Sequence, residues 1–228
     1  MACLRPKPKT GAAIAAALLS AGTLAGTLAG TEAASAEGRN GSEAPKKPNI
    51  LFFLVDDLGW SDIGCFGSRF HETPNIDRLA EEGVRFTNAY AACHVSSPTR
   101  ASLMTGRYPA SIRLTDWLPG RKNWPFQRLL NAPVEQHLPF EEITVAETLR
   151  DNGYATAIIG KWHLGKGDSN PLAHGFDEHI PLGYNEGWPQ GYYAPFRLNG
   201  YEGEEGEYLT DVMTREATKY IEEHKDGL

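Results

Sequence analysis

Three short segments of this chain carry side chains suited to chemistry on an anionic group. The first is Ser-Ser-Pro-Thr-Arg at residues 96–100, where Arg100 follows Ser96 by about one helical turn. A helix beginning here would direct its unpaired backbone N–H groups and the positive end of its dipole toward an anion. The alternative is an ordinary helix with an N-cap serine and a surface arginine. The segment by itself leaves both interpretations open.

The second segment is Gly-Lys-Trp-His-Leu-Gly at residues 160–165. If this stretch is extended, Lys161 and His163 project from the same face, because side chains alternate along a strand. A cation beside an imidazole is suited to binding an oxyanion or protonating a leaving group. The alternative is a solvated lysine and a histidine whose hydrogen bonds are satisfied within the core.

The third segment is the pair Asp56 and Asp57, directly after an apolar run. Two adjacent carboxylates at the end of a buried strand repel each other and are costly to desolvate. A divalent cation would remove that cost, and Ca²⁺ and Mg²⁺ both favour carboxylate oxygens. The alternative is a pair of aspartates that cap a turn and face water.

The elements expected to position these segments alternate between strand and helix. The apolar run at residues 49–55 predicts a strand buried on both faces, as in parallel sheets. Further strands are predicted at residues 84–91 and 154–159, and helices at residues 73–83, 98–105, 144–153 and 208–224. This order predicts an α/β fold with a mainly parallel sheet. Such sheets bind ligands beyond the carboxyl ends of their strands, where all three segments fall.

Composition and charge exclude several classes of protein. The 228 residues are 41% hydrophobic and 22% charged, as in ordinary globular proteins. There are 22 Lys and Arg against 29 Asp and Glu, a net charge of −7, so no basic excess suggests a nucleic-acid partner. Three cysteines are too few for a disulfide-stapled scaffold.

The N-terminus predicts export. Residues 1–36 have the form of a signal peptide, with the basic residues Arg5, Lys7 and Lys9, an apolar run at 12–24 and Ala-Ser-Ala at 34–36. The alternative is a membrane anchor, but the run falls short of the roughly 20 apolar residues that a span needs. Residues 37–47 predict a polar leader. We therefore expect a periplasmic or extracellular protein without a stable membrane span.

Taken together and in order, these segments resemble the sulfatase family of the alkaline phosphatase superfamily. The family signature of Ser or Cys, any residue, Pro, any residue and Arg matches residues 96–100, and its Thr-Gly-Arg matches residues 105–107. Other matches fall at residues 48–59, 73–80, 160–165 and 174–177. The resemblance covers residues 47–228 and implies a three-layer alkaline-phosphatase-like α/β sandwich whose catalytic domain begins at residue 48.

The resemblance implies a nucleophile and a metal site. Ser96 would be converted to formylglycine, an aldehyde whose hydrate attacks the sulfur atom and later expels sulfate. Asp56, Asp57 and the formylglycine oxygen would bind Ca²⁺, with Mg²⁺ as the alternative. Because the nucleophile position is a serine, the resemblance is to sulfatases matured by a radical enzyme in the bacterial cytosol before export.

The resemblance also implies roles for the cationic residues. Arg100 would hold the hydrated aldehyde in its reactive form. Lys161 would bind a sulfate oxygen, and His163 would hydrogen-bond the diol or the sulfate. The expected reaction is hydrolysis of a sulfate ester, on a sulfated carbohydrate or an aryl sulfate. Residues 115–124 and 184–193 either line a sugar subsite or are ordinary loops.

The cysteines leave two alternatives open. Cys93 lies five residues before Pro98, whereas the signature needs two, so it is not the nucleophile. A Cys65–Cys93 disulfide would suit an exported protein. A zinc site formed by Cys65, Cys93, His71 and His94 fits no standard spacing.

The chain departs from the family pattern after His163. The family takes further metal ligands from a later strand, an Asp followed by Asn or His, together with a second Lys and another His. No matching context follows here, and two carboxylates with one further oxygen underfill a Ca²⁺ site. We therefore expect the N-terminal portion of a longer enzyme, with a fold incomplete at its C-terminus and little or no activity alone. The alternatives are a non-catalytic fragment and a phosphate or phosphonate ester hydrolase.

Overall fold

The structure is a computed structural model that describes residues 14–16, 47–180, 191–196 and 203–225. Apart from the backbone of residues 14–16, the predicted signal peptide lies outside the described residues, as does most of the polar leader, and both stay predictions. The strands are β1 (Ile14–Ala16), β2 (Asn49–Leu51), β3 (Ala157–Ile159) and β4 (Glu178–Ile180). The α-helices are α1 (Pro74–Glu82), α2 (Ser96–Thr105), α3 (Pro109–Ile112), α4 (Val145–Asp151) and α5 (Leu209–His224). Two 3₁₀ turns span Gly64–Phe66 and Pro171–His174.

The chain divides into two units, and the first holds the described residues up to Asn88. In this unit β1 and β2 pair in parallel, with Ile14 opposite Asn49. The predicted strand at 49–55 is thus shorter than expected, and its burial on both faces is wrong: Phe53 is 53% exposed and Val55 is 48% exposed. Among the described residues β2 has a single strand partner, so no sheet with covering helices encloses this run.

Helix α1 begins where Thr73 and Pro74 predict, and Gly83 ends it. The Thr73 hydroxyl does not cap the helix; it accepts a hydrogen bond from Gly64 N at 2.8 Å and donates one to Asp77 Oδ1 at 3.1 Å. Asp77 also accepts from Cys65 N at 2.7 Å. These bonds fasten the first turn of α1 to the 3₁₀ turn before it.

The predicted strand at residues 84–91 is wrong. These residues form no regular element, and the large side chains of Val84, Phe86 and Tyr90 are 46%, 51% and 67% exposed. Alternation of apolar residues predicts a strand only where a neighbouring strand accepts its hydrogen bonds. The structure describes no such neighbour for this stretch.

The second unit contains the remaining described elements. Strands β3 and β4 pair in parallel, with Ile158 opposite His179. One core cluster joins α2 and the residues after β3; it comprises Ala101, Ile112, Leu114, Leu138, Trp162 and Leu164. A second cluster packs the start of α5 against the stretch before it; it comprises Ala194, Phe196, Leu209 and Val212. Both clusters lie close to the segment after β3, which they hold in place.

Helix α4 confirms its sequence signal. Thr144 and Glu147 form a complete capping box, in which each side chain accepts a hydrogen bond from the other residue's backbone N–H. The Thr144 hydroxyl also donates to His174 O at 2.7 Å, so it ties the helix to the 3₁₀ turn at Pro171–His174. The helix ends at Asp151, slightly before the predicted Gly153. Among the described residues, none of the helices combines the length and apolar character that a membrane span needs.

Candidate active site

Ser96 is the first residue of α2 rather than its cap. The N-cap is Val95, and the Ser96 Oγ instead accepts a hydrogen bond from Arg100 Nε at 3.0 Å. Arg100 is only 9% exposed, so the alternative of an N-cap serine with a surface arginine is wrong. The arrangement places a permanent positive charge beside the Ser96 hydroxyl, at the end of the helix where the dipole is also positive.

Arg100 also joins α2 to the segment that follows β3. Its Nη1 donates to Lys161 O at 2.8 Å, across 61 residues of sequence. The guanidinium therefore spans from the Ser96 hydroxyl to the backbone of Lys161, a rigid, planar connection that a lysine could not make. Two of the sequence-predicted segments are thereby brought together by one buried side chain.

The segment of residues 160–165 turns instead of staying extended. Gly160 has a φ of 101° and His163 a φ of 56°, in the left-handed region where residues other than glycine are uncommon. Trp162 and Leu164 are fully buried in the core, while Lys161 is half-buried and His163 is 7% exposed. The same-face argument for an extended strand therefore does not apply here. A left-handed histidine costs about 1–3 kcal/mol, a strain that tends to occur at functional sites.

Leu118 links His163 to the start of α2. Its backbone N–H donates to Ser97 Oγ at 3.1 Å, and its carbonyl lies 3.0 Å from His163 Nε2. Sequence reasoning missed both Ser97 and Leu118. Ser97 lies inside the signature at a position where any residue is accepted, whereas Leu118 acts only through its backbone, which no side-chain pattern reveals.

A buried layer supports the segment from behind. Trp162 Nε1 donates to Ser169 O at 3.0 Å, and Ser169 Oγ lies 3.1 Å from His174 Nε2. The rings of Trp162 and His174 are 5.5 Å apart. Burial lowers the pKa of His174, an effect that the nearby Glu147 carboxylate opposes and His137 reinforces. A neutral His174 thus completes the packing that holds Trp162.

Asp56 and Asp57 lie in the first unit, after β2, and both are exposed. Asp57 has a φ of 55°, so it shares the left-handed conformation of His163. Among the described residues, no group of three or more His, Cys, Asp or Glu side chains is placed to hold a metal ion. Cys65 and Cys93 are free thiols rather than a disulfide.

The comparisons with known proteins agree with these motifs. The sulfatase family model matches residues 48–227. The chain belongs to the sulfatase family. It is 37% identical over 210 residues to N-acetylgalactosamine-6-sulfatase of Canis lupus familiaris, covering 82% of this chain and 38% of that protein. It is 45% identical over 143 residues to human steryl-sulfatase, covering 60% of this chain and 24% of that protein.

Solved structures confirm the α/β fold expected for this sulfatase chain. The crystal structure of Ps i-CgsB matches with a TM-score of 0.63 and 33% identity, covering 78% of this chain and 42% of that one. A structure of Ps i-CgsB in complex with k-i-k-neocarrahexaose matches with a TM-score of 0.59 and 34% identity, covering 74% and 40%. The chain therefore spans between 24% and 42% of the length of these relatives.

Proposed function

We propose that this chain carries the nucleophile half of an enzyme that hydrolyses sulfate esters of carbohydrates. The observation that supports this most directly is the Arg100 guanidinium, which spans from Ser96 Oγ to Lys161 O. It joins the two sulfatase signatures at the N-terminus of a ten-residue helix, where an anionic group is favoured.

In this proposal a maturing enzyme oxidises Ser96 to formylglycine, whose hydrate supplies the nucleophile that attacks the sulfur atom. The water consumed by the hydrolysis enters when the aldehyde, regenerated as sulfate leaves, is hydrated again. Arg100 orients the nucleophile through its Nε–H. Lys161 and His163 bind the oxygens of the sulfate group, and their positive charge and hydrogen bonds stabilise charge that develops on the ester. The buried Trp162 between them keeps both residues in place.

Asp56 and Asp57 would hold a divalent cation, Ca²⁺ or Mg²⁺, which supplies charge neutralisation for the sulfate group. Their chemistry suits a hard cation, because both offer carboxylate oxygens. Ca²⁺ takes roughly six to eight oxygen ligands, more than these two residues and the Ser96 position offer. We therefore propose that a working site needs ligands in addition to the described ones.

A sulfated carbohydrate is the substrate class that two of the reported relatives favour, whereas a third is named for a steryl sulfate. One relative is named for sulfated N-acetylgalactosamine, and another binds a neocarrahexaose. Residues 1–36, read as a signal peptide, support export to the periplasm or beyond. If the protein is exported, the radical-type maturing enzyme would have to act on Ser96 in the cytosol before export.

The test has two measurements on the chain and on the product of the complete reading frame that contains it. Peptide mass spectrometry after co-expression with a maturing enzyme should show that residue 96 has lost two hydrogen atoms. Turnover of 4-nitrophenyl sulfate should then appear in the complete product, with little or none in this chain alone, and should be abolished in Ser96→Ala. The matched control is Ser111→Ala, an exposed serine on α3 whose hydroxyl donates only to Tyr108 O.

The competing functions predict other results. Turnover of 4-nitrophenyl phosphate but not of the sulfate ester, with Ser96 unmodified, would favour a phosphate ester hydrolase. Binding of sulfate without any turnover in the complete product would favour a non-catalytic protein. Either result would overturn the proposal.

A further inference from the structure

A loop of residues 115–131 exposes an unusual concentration of aromatic and cationic side chains. We call it the Trp loop. Its base is closed by Arg113 and Glu135, which form a salt bridge at 2.7 Å and a backbone hydrogen bond at 2.9 Å. Leu114, next to this base, is fully buried in the core. The loop thus begins and ends on the packed body of the second unit.

The Trp loop is attached to the candidate active site through Leu118. That residue bonds to Ser97 Oγ through its N–H and to His163 Nε2 through its carbonyl. Ser97 follows Ser96 directly, and His163 lies two residues after Lys161. The part of the loop at Leu118 therefore borders the start of α2.

The outer part of the loop is held in shape by its own polar side chains. Asn131 Nδ2 donates to the carbonyls of Arg121 and Lys122 at 3.1 and 3.2 Å, and its backbone N–H donates to Asn123 Oδ1 at 2.8 Å. These bonds close residues 121–131 into a ring without help from the core. A preformed loop loses little conformational entropy when a ligand binds.

The closed stretch of residues 121–131 displays a flat aromatic surface. The rings of Trp124 and Phe126 stack at 6.0 Å with only 15° between their planes. Trp124 is 57% exposed and Phe126 is 81% exposed, and the neighbouring Leu129 and Leu130 are each more than 80% exposed. Large apolar side chains gathered at the surface mark a binding site more often than scattered ones do.

The charge of the Trp loop is opposite to that of the chain. It carries Arg121, Lys122 and Arg128 against Asp116, a net charge of +2 in a chain of −7. Arg121 is engaged by Asp116 at 3.6 Å. Lys122 and Arg128 are exposed, and no carboxylate pairs with either of them among the described residues. The loop therefore offers two cations beside an aromatic plane.

We propose that the Trp loop is a subsite for the sugar chain of a sulfated oligosaccharide, a proposal that rests on the sulfatase function above. The C–H face of a pyranose ring packs on Trp124 and Phe126, because both surfaces are flat and apolar. Lys122 and Arg128 bind sulfate groups on sugars other than the one being cleaved. The loop then sets which sulfated chains are accepted, while Ser96 and its neighbours act on the ester.

The experiment compares an oligosaccharide with a small ester. The protein is the mature product of the complete reading frame, and the probes are a sulfated neocarrahexaose, its chemically desulfated form and 4-nitrophenyl sulfate. Dissociation constants come from calorimetric titration and kcat/KM from sulfate release. The variants are Trp124→Ala with Phe126→Ala, and separately Lys122→Gln with Arg128→Gln. The controls are Phe70→Ala, 89% exposed, and the exposed Lys219→Gln on α5.

We expect each double variant to weaken binding of the sulfated hexaose at least tenfold and to leave kcat/KM for 4-nitrophenyl sulfate within about twofold. The desulfated form should lose the effect of Lys122 and Arg128 but keep that of the aromatic pair. The two control variants should match the wild type.

Three outcomes would overturn the subsite. One is that the wild-type protein binds neither the sulfated nor the desulfated hexaose. Another is double variants that bind the hexaose as tightly as the wild type while 4-nitrophenyl sulfate is turned over. The third is an aromatic double variant with a lowered melting temperature, which would mean that the loop packs against another part of the protein. Loss of all 4-nitrophenyl sulfate turnover in the wild type would instead indicate failure of the proposed function.

Discussion

Two segments of this protein, one after β2 and one after β3, carry predicted site residues in the same sequence context, yet their surroundings differ. Lys161 and His163 follow β3 and are enclosed by α2, Leu118 and the buried Trp162. Asp56 and Asp57 follow β2 and are exposed. Each segment has one residue other than glycine in the left-handed conformation, Asp57 after β2 and His163 after β3. The comparison teaches that a position after a strand selects candidate residues, whereas tertiary packing determines whether they are held.

The largest difference should appear on adding a methyl group to one glycine in each of the two units, Gly67 in the first and Gly175 in the second. A Cβ on Gly175, where φ is 94°, would lie 2.3 Å from the backbone N of Glu147. Gly175→Ala should lower the free energy of unfolding by about 3 kcal/mol or more, because neither backbone can move easily. Gly67→Ala, at a φ of 102° with nothing within 4 Å, should cost only about 1 kcal/mol.

Urea unfolding followed by circular dichroism measures both values. Equal costs for the two substitutions would mean that the surroundings of Gly175 are no tighter than those of Gly67, and the contrast between the two regions would be lost.

The next effect concerns the hydroxyl that connects α4 to His174. Thr144→Ala removes the cap to Glu147 N and the bond to His174 O, and it leaves that buried carbonyl without this donor. We expect a loss of about 2 kcal/mol. Thr148→Ala one turn later, at an exposed residue, removes only a part-buried bond to Thr144 O and should cost less than about 0.5 kcal/mol. The midpoints of urea-induced unfolding measure both losses of stability. A Thr144→Ala protein as stable as Thr148→Ala would refute the stabilising role of the Thr144 hydroxyl between α4 and His174.

A pH dependence should distinguish the packed region further. Burial lowers the pKa of His174 below its ordinary value of 6.5, so the native state binds fewer protons than the unfolded chain just below that pH. The stability contributed by neutral His174 is complete above about pH 6.5 and is lost as the pH falls through the folded-state pKa. Burial also lowers the pKa of His179, so this residue changes the stability in the same direction.

Unfolding curves at about pH 7.5 and about pH 5.5 should therefore show lower stability in acid. His174→Gln should reduce that difference, while His71→Gln, at an exposed position, should not. An unchanged difference in His174→Gln would show that the titration arises elsewhere.

The smallest effect is expected at the exposed carboxylates. In the chain itself, Ca²⁺ should raise the free energy of unfolding by no more than about 1 kcal/mol, because two carboxylates supply few ligands. Asp56→Asn with Asp57→Asn should abolish that rise and change metal-free stability by less than about 0.5 kcal/mol. Glu81→Gln with Glu82→Gln, another exposed adjacent pair in the same unit, is the control. Thermal unfolding with and without Ca²⁺ is the measurement, and a large stabilisation by Ca²⁺ would place Asp56 and Asp57 in a more complete site than we infer.

Local signals predicted the helices well and the strands poorly. Thr73-Pro74, the Thr144 capping box and Gly106 mark helix ends that the structure has, because capping involves residues close in sequence. The strands at 49–55 and 154–159 shrink to three residues each, and the one at 84–91 is absent. A strand depends on a partner that local sequence does not specify.

The sequence by itself determined the family, through signatures whose order and spacing are read directly from the residue types. It also identified Ser96, Arg100, Lys161 and His163 as site candidates. Only the tertiary structure decided that Arg100 is buried between Ser96 and Lys161. Likewise, only the fold revealed that the backbone of Leu118 joins Ser97 to His163. The physical reason is that hydrogen bonds across many residues of chain, especially those made by backbone atoms, leave no trace in side-chain patterns.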